Sequence, residues 1–325
     1  MNRMLVVVVA LAVLVSIPLQ QASALWGKPK TATESANADM KLGEYKGLKQ
    51  AIGCKEFDNE AGWHGSWNLG DNLSIMLESA LFDSGRFVIV EREKLQDVLA
   101  EQDLVASGRA AGASKVAQTG KVRPARYLAT GAVTEVEESQ SGADGGISFK
   151  GVRVGGGRSE AQVTVIVKLI DTTTGEIVAK ERVVGKAGNT ALRVGLSYHS
   201  LGTEVGGFVK TPLGQAAQDC INQAASIIAK KMEEFPFEGS VIKVSDSGQV
   251  IVNRGSEFGV EVGQELVMAE QGETLMDPDT GEMLGQEEGR VIGKIRVAKV
   301  LEKVSYADVT EGEQNPAGGT VVRAE

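Results

Sequence analysis

The sequence predicts an α/β (α+β) protein: a two-layer domain with helices on a mixed β-sheet, followed by a small β-barrel. Three observations carry that prediction. Between residues 48 and 235, strand-like runs alternate with segments whose apolar residues recur at helical spacing. From residue 238 onward the helical patterns stop and short apolar runs sit between turn signals. Within the first region lies a glycine-rich, charged stretch, "ISFKGVRVGGGRSEAQVTVIVKL" (147–169), whose charges follow a two-residue period.

Residues 1–24 place Arg3 ahead of the apolar run LVVVVALAVLV, then Pro18 and Ala22-Ser23-Ala24. This is the pattern of a secretory signal peptide cleaved after Ala24. The run is too short to span a bilayer, and no later segment reaches the ~18 apolar residues of a transmembrane helix. Entry into a membrane is therefore expected only through β-structure. Residues 25–47 read as a flexible lead-in, and neither cysteine follows the apolar run closely enough to carry a lipid anchor.

The first strand is expected over 48–57. In "LGDNLSIMLESALFDSGRF", Leu69, Leu73, Met76, Leu77, Ala80 and Leu81 recur at helical spacing, with Asp71 near the start and Gly85 past the end. "RFVIVER" (86–92) is a short strand, and "EKLQDVLAEQDL" (93–104) sets Leu95, Val98, Leu99 and Leu104 on one helical stripe. "YLATGAVTEVEE", "VTVIVKLID" and "IVAKERVV" are strands, the last two joined by the turn "TTTGE" (172–176). A long helix over 211–234, with Pro212 in its first turn, closes the domain. Pro236 marks a junction where a protease is expected to release a folded fragment. Beyond it six strand-like runs, "GSVIKVS", "QVIVNRG", "GQELVMAE", "RVIGKIRVAKVL", "SYADVTE" and "TVVRAE", make up a small barrel over 238–325.

In the glycine-rich stretch Ile147, Phe149 and the run of Gly, Ser, Ala and Val positions to Leu169 are odd-numbered, while Lys150, Arg158, Glu160 and Lys168 are even. A hairpin here has one uncharged and one charged face. Arg153 alone breaks the parity, and the turn is expected at it.

The chain carries 34 basic and 43 acidic residues, net charge −9, which argues against nucleic acid as a partner. Roughly 300 residues after the signal exceed one core and suggest two domains. Cys54 and Cys220 are the only cysteines, a count that permits one disulfide or two buried thiols. His64 and His199, the only histidines, have no metal-ligand spacing. "DTTTGE" and "DPDTGE" lack the spacing of a calcium loop, and "GVRVGGGR" lacks the ending of a phosphate loop. No nucleophile motif is present, so no enzyme activity, metal or cofactor is expected.

"KEFDNEAG" with its following helix, "ALFDSGRFVIVEREKLQDVLAEQDL", "LATGAVTEVE", "VKLIDTTTGEIV" and "EVGGFVKTPLGQAAQDCINQA" occur in order and resemble the CsgG and HfaB family, the outer-membrane secretion channel of the curli pathway and its relatives. "GSVIKVSDSGQVIVNRGSEFGVEVGQELVM" resembles the small barrel at the end of the flagellar assembly protein FlgT. The resemblance implies a periplasmic α/β domain over 48–235 in a homo-oligomeric ring, exporting a secreted, curli-like protein subunit with accessory proteins. It also implies two β-hairpins per subunit, near 139–162 and 184–210, closing into one outer-membrane barrel. The lipid-facing candidates are Ile147 and Phe149 in the first, and Leu192, Val194, Leu196 and Tyr198 in the second. The family narrows its pore with a loop, and the equivalent segment "NEAGWHGSWNLGDN" offers Trp63, His64, Trp67 and Asn68 as constriction candidates. The chain departs from the curli channel in lacking a lipidated cysteine, in the residues of that loop, and in its added C-terminal barrel. The alternative reading is a periplasmic ring or scaffold for a surface structure, whose hairpins make protein contacts only.

Overall fold

The computed structural model describes residues 37–43, 45, 47–111, 116–141, 147–149, 152–154, 158–187, 203–235, 238–281 and 283–324. β1 (Gln50–Asn59) leads through α1 (Leu69–Asp83) to β2 (Phe87–Val90), then through α2 (Leu95–Ala106) to β3 (Tyr127–Ser141). Because helices make these two connections, β1 pairs in parallel with both β2 and β3. The remaining strands, β6 (Arg158–Asp171) and β7 (Ile177–Ala187), are reached by reversals and pair antiparallel, giving the order β2-β1-β3-β6-β7. The sheet is mixed, as the alternation of elements predicts. A short hairpin, β4 (Ile147–Phe149) with β5 (Val152–Val154), lies between β3 and β6.

The turn from β6 to β7 is made by its own chemistry. Asp171 Oδ1 accepts the Thr173 N–H at 2.7 Å, the Gly175 N–H returns to the Asp171 carbonyl at 2.8 Å, and Gly175 takes the left-handed φ of 79°.

The helix layer consists of α1 and a long C-terminal helix, packed on the sheet and on each other. α3 (Thr203–Phe208) precedes that helix, α4 (Pro212–Met232). At the start of α4 the Thr211 hydroxyl accepts the Gly214 N–H at 3.0 Å, and Pro212 costs nothing in a turn whose amides have no helical partner. Its inner face is small: Ala216, Ala217, Cys220, Ala224 and Ala225 are all fully buried. That face lets the helix approach β7 so closely that a Cβ on Gly185 would lie 2.0 Å from the Ala216 carbonyl oxygen. Leu73, Leu77 and Leu81 of α1 complete this core, as their spacing predicts.

Two expectations are modified. Part of the lead-in is packed: residues 37–39 are helical, Asn37 Nδ2 donates to the Ser84 carbonyl at 3.2 Å, and Met40 is buried. α2 forms where its stripe predicts, yet Val98 and Leu104 are exposed and Gln102 is its buried residue.

The C-terminal region contains β8 (Glu238–Val244), β9 (Val250–Val252), β10 (Glu265–Ala269), β11 (Thr274–Met276), β12 (Met283–Gln286), β13 (Val291–Val300), β14 (Ser305–Gly312) and β15 (Val321–Ala324). The six runs singled out in the sequence are the six strands of a closed barrel, ordered β10-β13-β14-β9-β8-β15. β11 and β12 form an additional hairpin whose reversal is the "DPDTGE" motif, with Asp277 Oδ1 accepting from the Thr280 and Asp279 amides. The barrel has its own core around Val252, Leu266, Met268 and Ile295, and Leu48, from ahead of β1, is buried in it. Both cysteines are free and buried, Cys54 on β1 and Cys220 on α4.

Candidate functional site

The strand register gives the sheet two unlike poles. β1 ends beside β3 at Asn59 and Val133, β3 runs on to Ser141 opposite Arg158, and β7 ends at Ala187 opposite Ala161. The loop after β1 and the first hairpin therefore lie at one pole. At the other, the Lys49 N–H donates to the Phe258 carbonyl of the barrel at 2.8 Å, and Gln50 Nε2 to the Phe235 carbonyl at 3.0 Å.

The β3–β6 ladder is continuous from Tyr127 opposite Asp171 to Ser141 opposite Arg158, with one register shift between Val133 and Glu135. The shift is a β-bulge, which bends the outgoing strand and strengthens its twist. The tip ladder then pairs Ile147 with Val154, Ser148 with Arg153 and Phe149 with Val152. Arg153 thus stands in a strand, opposite Ser148, instead of at the turn. Parity failed there for a geometric reason: directly opposed residues share a face, and this register opposes odd positions to even ones. Ile147, Phe149, Val152 and Val154 occupy one face of the tip ladder, and Ser148 and Arg153 the other.

Nearer the body, the uncharged odd positions of β6 have an internal use. Ala161, Val163, Val165, Val167 and Leu169 are buried under the helices. Their alternation is the half-buried strand pattern of a covered sheet. Leu192, Val194, Leu196 and Tyr198 lie outside the described residues, and the stretch read as 184–210 is strand to Ala187 and helix over α3.

The loop between β1 and α1 is closed on itself. Asn59 accepts the Trp63 N–H at 3.1 Å through Oδ1 and donates to the Trp63 carbonyl at 2.8 Å through Nδ2. Trp63 is half-buried against the core, and its buried indole N–H has no hydrogen-bond partner among the described residues. Trp67 packs on Phe208 of α3 with ring centroids 5.5 Å apart. His64 and Asn68 are exposed, and the Asn68 amide donates to the Asp71 carboxylate. The structure so brings the two tryptophans onto the core and leaves the two polar candidates at the surface. Phe208 and Asn59, which hold the loop, went unnoticed in the sequence. The period of α3 is too short to register, although the Asn59–Trp63 spacing is that of a local side-chain turn.

Carboxylates concentrate along the β1–α1–β2 flank. Desolvation, and then a hydrogen bond that the protonated Glu56 carboxyl donates to Asp71, raise Glu56 above its usual range, with Asp71, Glu93 and Asp58 adding to it by their charge. Glu78 is raised by burial and then by Glu91 and Glu93. Ser74 Oγ donates to Glu93 at 2.9 Å. Among the described residues no group of three or more His, Cys, Asp or Glu is arranged to hold a metal ion. Burial raises the Cys54 thiol, those same carboxylates contributing, and pushes the Cys220 thiol up to about 12. Thiols held protonated in this way are poor nucleophiles.

A mixed two-layer α/β body that extends one long hairpin from its sheet, with a six-stranded barrel appended at the opposite pole, is the class of protein these features define. Residues 33–249 match CsgG, the curli production assembly/transport component, and the chain belongs to that family. The match continues past α4 into β8 of the barrel. No curated protein sequence matches the chain. Among solved structures it is similar to the hypothetical protein CT253 from Chlamydia trachomatis, with 12% identity over 57% of this chain and 99% of that one and a TM-score of 0.36. The PelC dodecamer from Paraburkholderia phytofirmans is similar at 15% identity over 56% and 89%, TM-score 0.28. Lipoprotein GNA1162 from Neisseria meningitidis shares 14% identity over 43% and 84%, TM-score 0.25. All three likenesses are loose. Among the described residues no helix is long and apolar enough to cross a membrane.

Proposed function

We propose that the chain is the subunit of a curli-type export channel, a homo-oligomeric ring in the outer membrane that passes a secreted protein from the periplasm. In this reading each subunit contributes hairpins near 139–162 and 184–210 to one shared β-barrel. The observation that carries it is the register of the first hairpin: its ladder leaves the helix-covered body, and its tip gathers Ile147, Phe149, Val152 and Val154 on one face. Alternating strands of that kind are what a barrel in a bilayer requires. Family membership supports the transport role, and the loop carrying Trp63, His64, Trp67 and Asn68 sits at the pole from which the hairpin leaves. Membrane fractionation of the native protein, followed by conductance recording of the extracted particle in planar bilayers, tests the proposal. A particle that fractionates with soluble periplasmic proteins and conducts no ions overturns it.

The second reading is a periplasmic ring or scaffold for a surface structure, without a pore. It is favoured by the burial of the odd face of β6 from Ala161 to Leu169, which accounts for that part of the alternation without lipid. The same recording separates the two.

A further inference from the structure

At the pole opposite the hairpin, a cleft of about 860 Å³ opens between the sheet and the barrel. Its walls come from residues 49–51 at the start of β1, residues 123–126 ahead of β3, the β6–β7 turn and the barrel. Five of its side chains are basic, Lys49, Arg123, Arg126, Arg254 and Lys303, against three acidic ones. In a chain of net charge −9 this is a local reversal of sign.

The three carboxylates are already engaged. Glu257 pairs with Arg123 at 2.5 Å, Glu238 with Arg126 at 3.6 Å, and Asp171 accepts the Thr173 amide. Arg254 donates to the backbone carbonyls of Asn253 and Glu238 at 3.0 and 2.9 Å. Lys49 and Lys303 form no ion pair among the described residues. Arg123 and Arg254 lie over the Phe258 ring at 5.0 and 4.8 Å, which holds two guanidiniums in place near one another. Burial, and next the charge of Arg123, pull Arg254 below the usual guanidinium range. Lys49 and Lys303 thus stand without a carboxylate partner among the described residues, beside guanidiniums already held in place, a setting in which basic side chains recognise carboxylates.

We propose that this cleft binds an acidic peptide segment of a partner protein, whose carboxylates meet Lys49, Lys303 and the three guanidiniums. A cleft of this volume is far larger than a single inorganic anion and suits several residues of a chain. The Gln271 amide on its wall matches a peptide backbone, which a bare polyanion does not present. The inference is independent of whether the hairpins line a pore.

The test is fluorescence anisotropy of a labelled oligoglutamate with the full chain at low ionic strength, comparing the wild type with the Lys49→Glu/Lys303→Glu double variant and with Lys243→Glu on a barrel strand outside the cleft. Binding that the double variant weakens by roughly tenfold or more, and Lys243→Glu leaves unchanged, is expected. Circular dichroism confirms that each variant is folded. Absence of binding, or equal weakening by both variants, overturns the proposal. Displacement by inorganic phosphate or oligogalacturonate at the same charge concentration also overturns it, because the site then reads charge without peptide. A change of sedimentation coefficient in the double variant without any peptide binding assigns the cleft to contact between copies instead.

Discussion

Arg123 and Glu257 form a 2.5 Å ion pair that joins the segment ahead of β3 to the barrel, with both side chains largely shielded from solvent. They do not act alone. Leu48 is buried in the barrel core, Val88 of β2 packs on that core, and the Lys49 N–H donates to the Phe258 carbonyl at 2.8 Å. A linker between independent domains has few such ties.

Cleavage near Pro236 is therefore expected to leave the two fragments bound to each other. After limited proteolysis they co-elute in gel filtration under native conditions and separate only in denaturant. Arg123→Ala should lower stability by about 1–2 kcal/mol, as read from urea unfolding, since it leaves Glu257 partly buried without its partner. Separate elution of a folded barrel fragment from nicked wild type would show that the seam is weak.

The close approach of α4 to β7 sets a second expectation. A methyl group at Gly185 would lie 2.0 Å from the Ala216 carbonyl oxygen and 2.5 Å from the Cys220 nitrogen, both backbone atoms. Gly185→Ala should cost about 3 kcal/mol, because the helix must move off the sheet. Gly207→Ala, in α3, meets only Trp67 at 3.5 Å. It should be neutral or stabilising by about 0.5 kcal/mol, since alanine favours a helix over glycine. Equal losses in the two variants would contradict the packing.

Stability should also depend on pH in a defined direction. Glu56 and Glu78 have raised folded-state values, chiefly through burial. The stability such groups contribute is fully present below the ordinary glutamate pKa, ~4.3, and is lost as pH rises through the raised value. Glu265 and Asp277 run the other way. Hydrogen bonds from Arg296 and from the Asp279 amide hold them low, so their contribution is present above the ordinary carboxylate range and lost only below it. The melting temperature is expected to rise as pH falls from 7 towards 5 and to drop at still lower pH. In Glu78→Gln the rise should be smaller. A melting temperature unchanged between pH 7 and 5 would mean that neither desolvation nor neighbouring charge raises the flank carboxyls.

Long periodic elements were legible in the sequence because burial and spacing agree in them. Leu73, Leu77 and Leu81 on α1, and the six barrel strands, fall where their apolar spacing puts them. Short elements without a run of buried apolar residues were not. α3 is six residues long, and β11 is three residues with no buried side chain, so neither offers a period to read. Composition misled at the lead-in, where a polar segment is held by Asn37 and Met40 contacts that no local pattern announces. The hairpin was visible from its alternation, but its turn was not, since alternation along each strand says nothing of which residues face each other.

That register decides what the hairpin experiment should compare. If the face carrying Phe149 and Val152 meets lipid, Phe149→Arg or Val152→Arg places a cation in the hydrocarbon at a cost of ~2–4 kcal/mol per subunit near the midplane. In a ring the cost recurs in every copy, so neither variant should recover in the membrane fraction. Arg153 stands opposite Ser148 on the other face. Arg153→Glu should leave assembly intact and shift the reversal potential of single channels in a salt gradient towards cation selectivity, because a lumenal cation has become an anion. Intact assembly of Phe149→Arg alongside an unchanged reversal potential in Arg153→Glu would remove the hairpin from the membrane and leave the scaffold reading in its place.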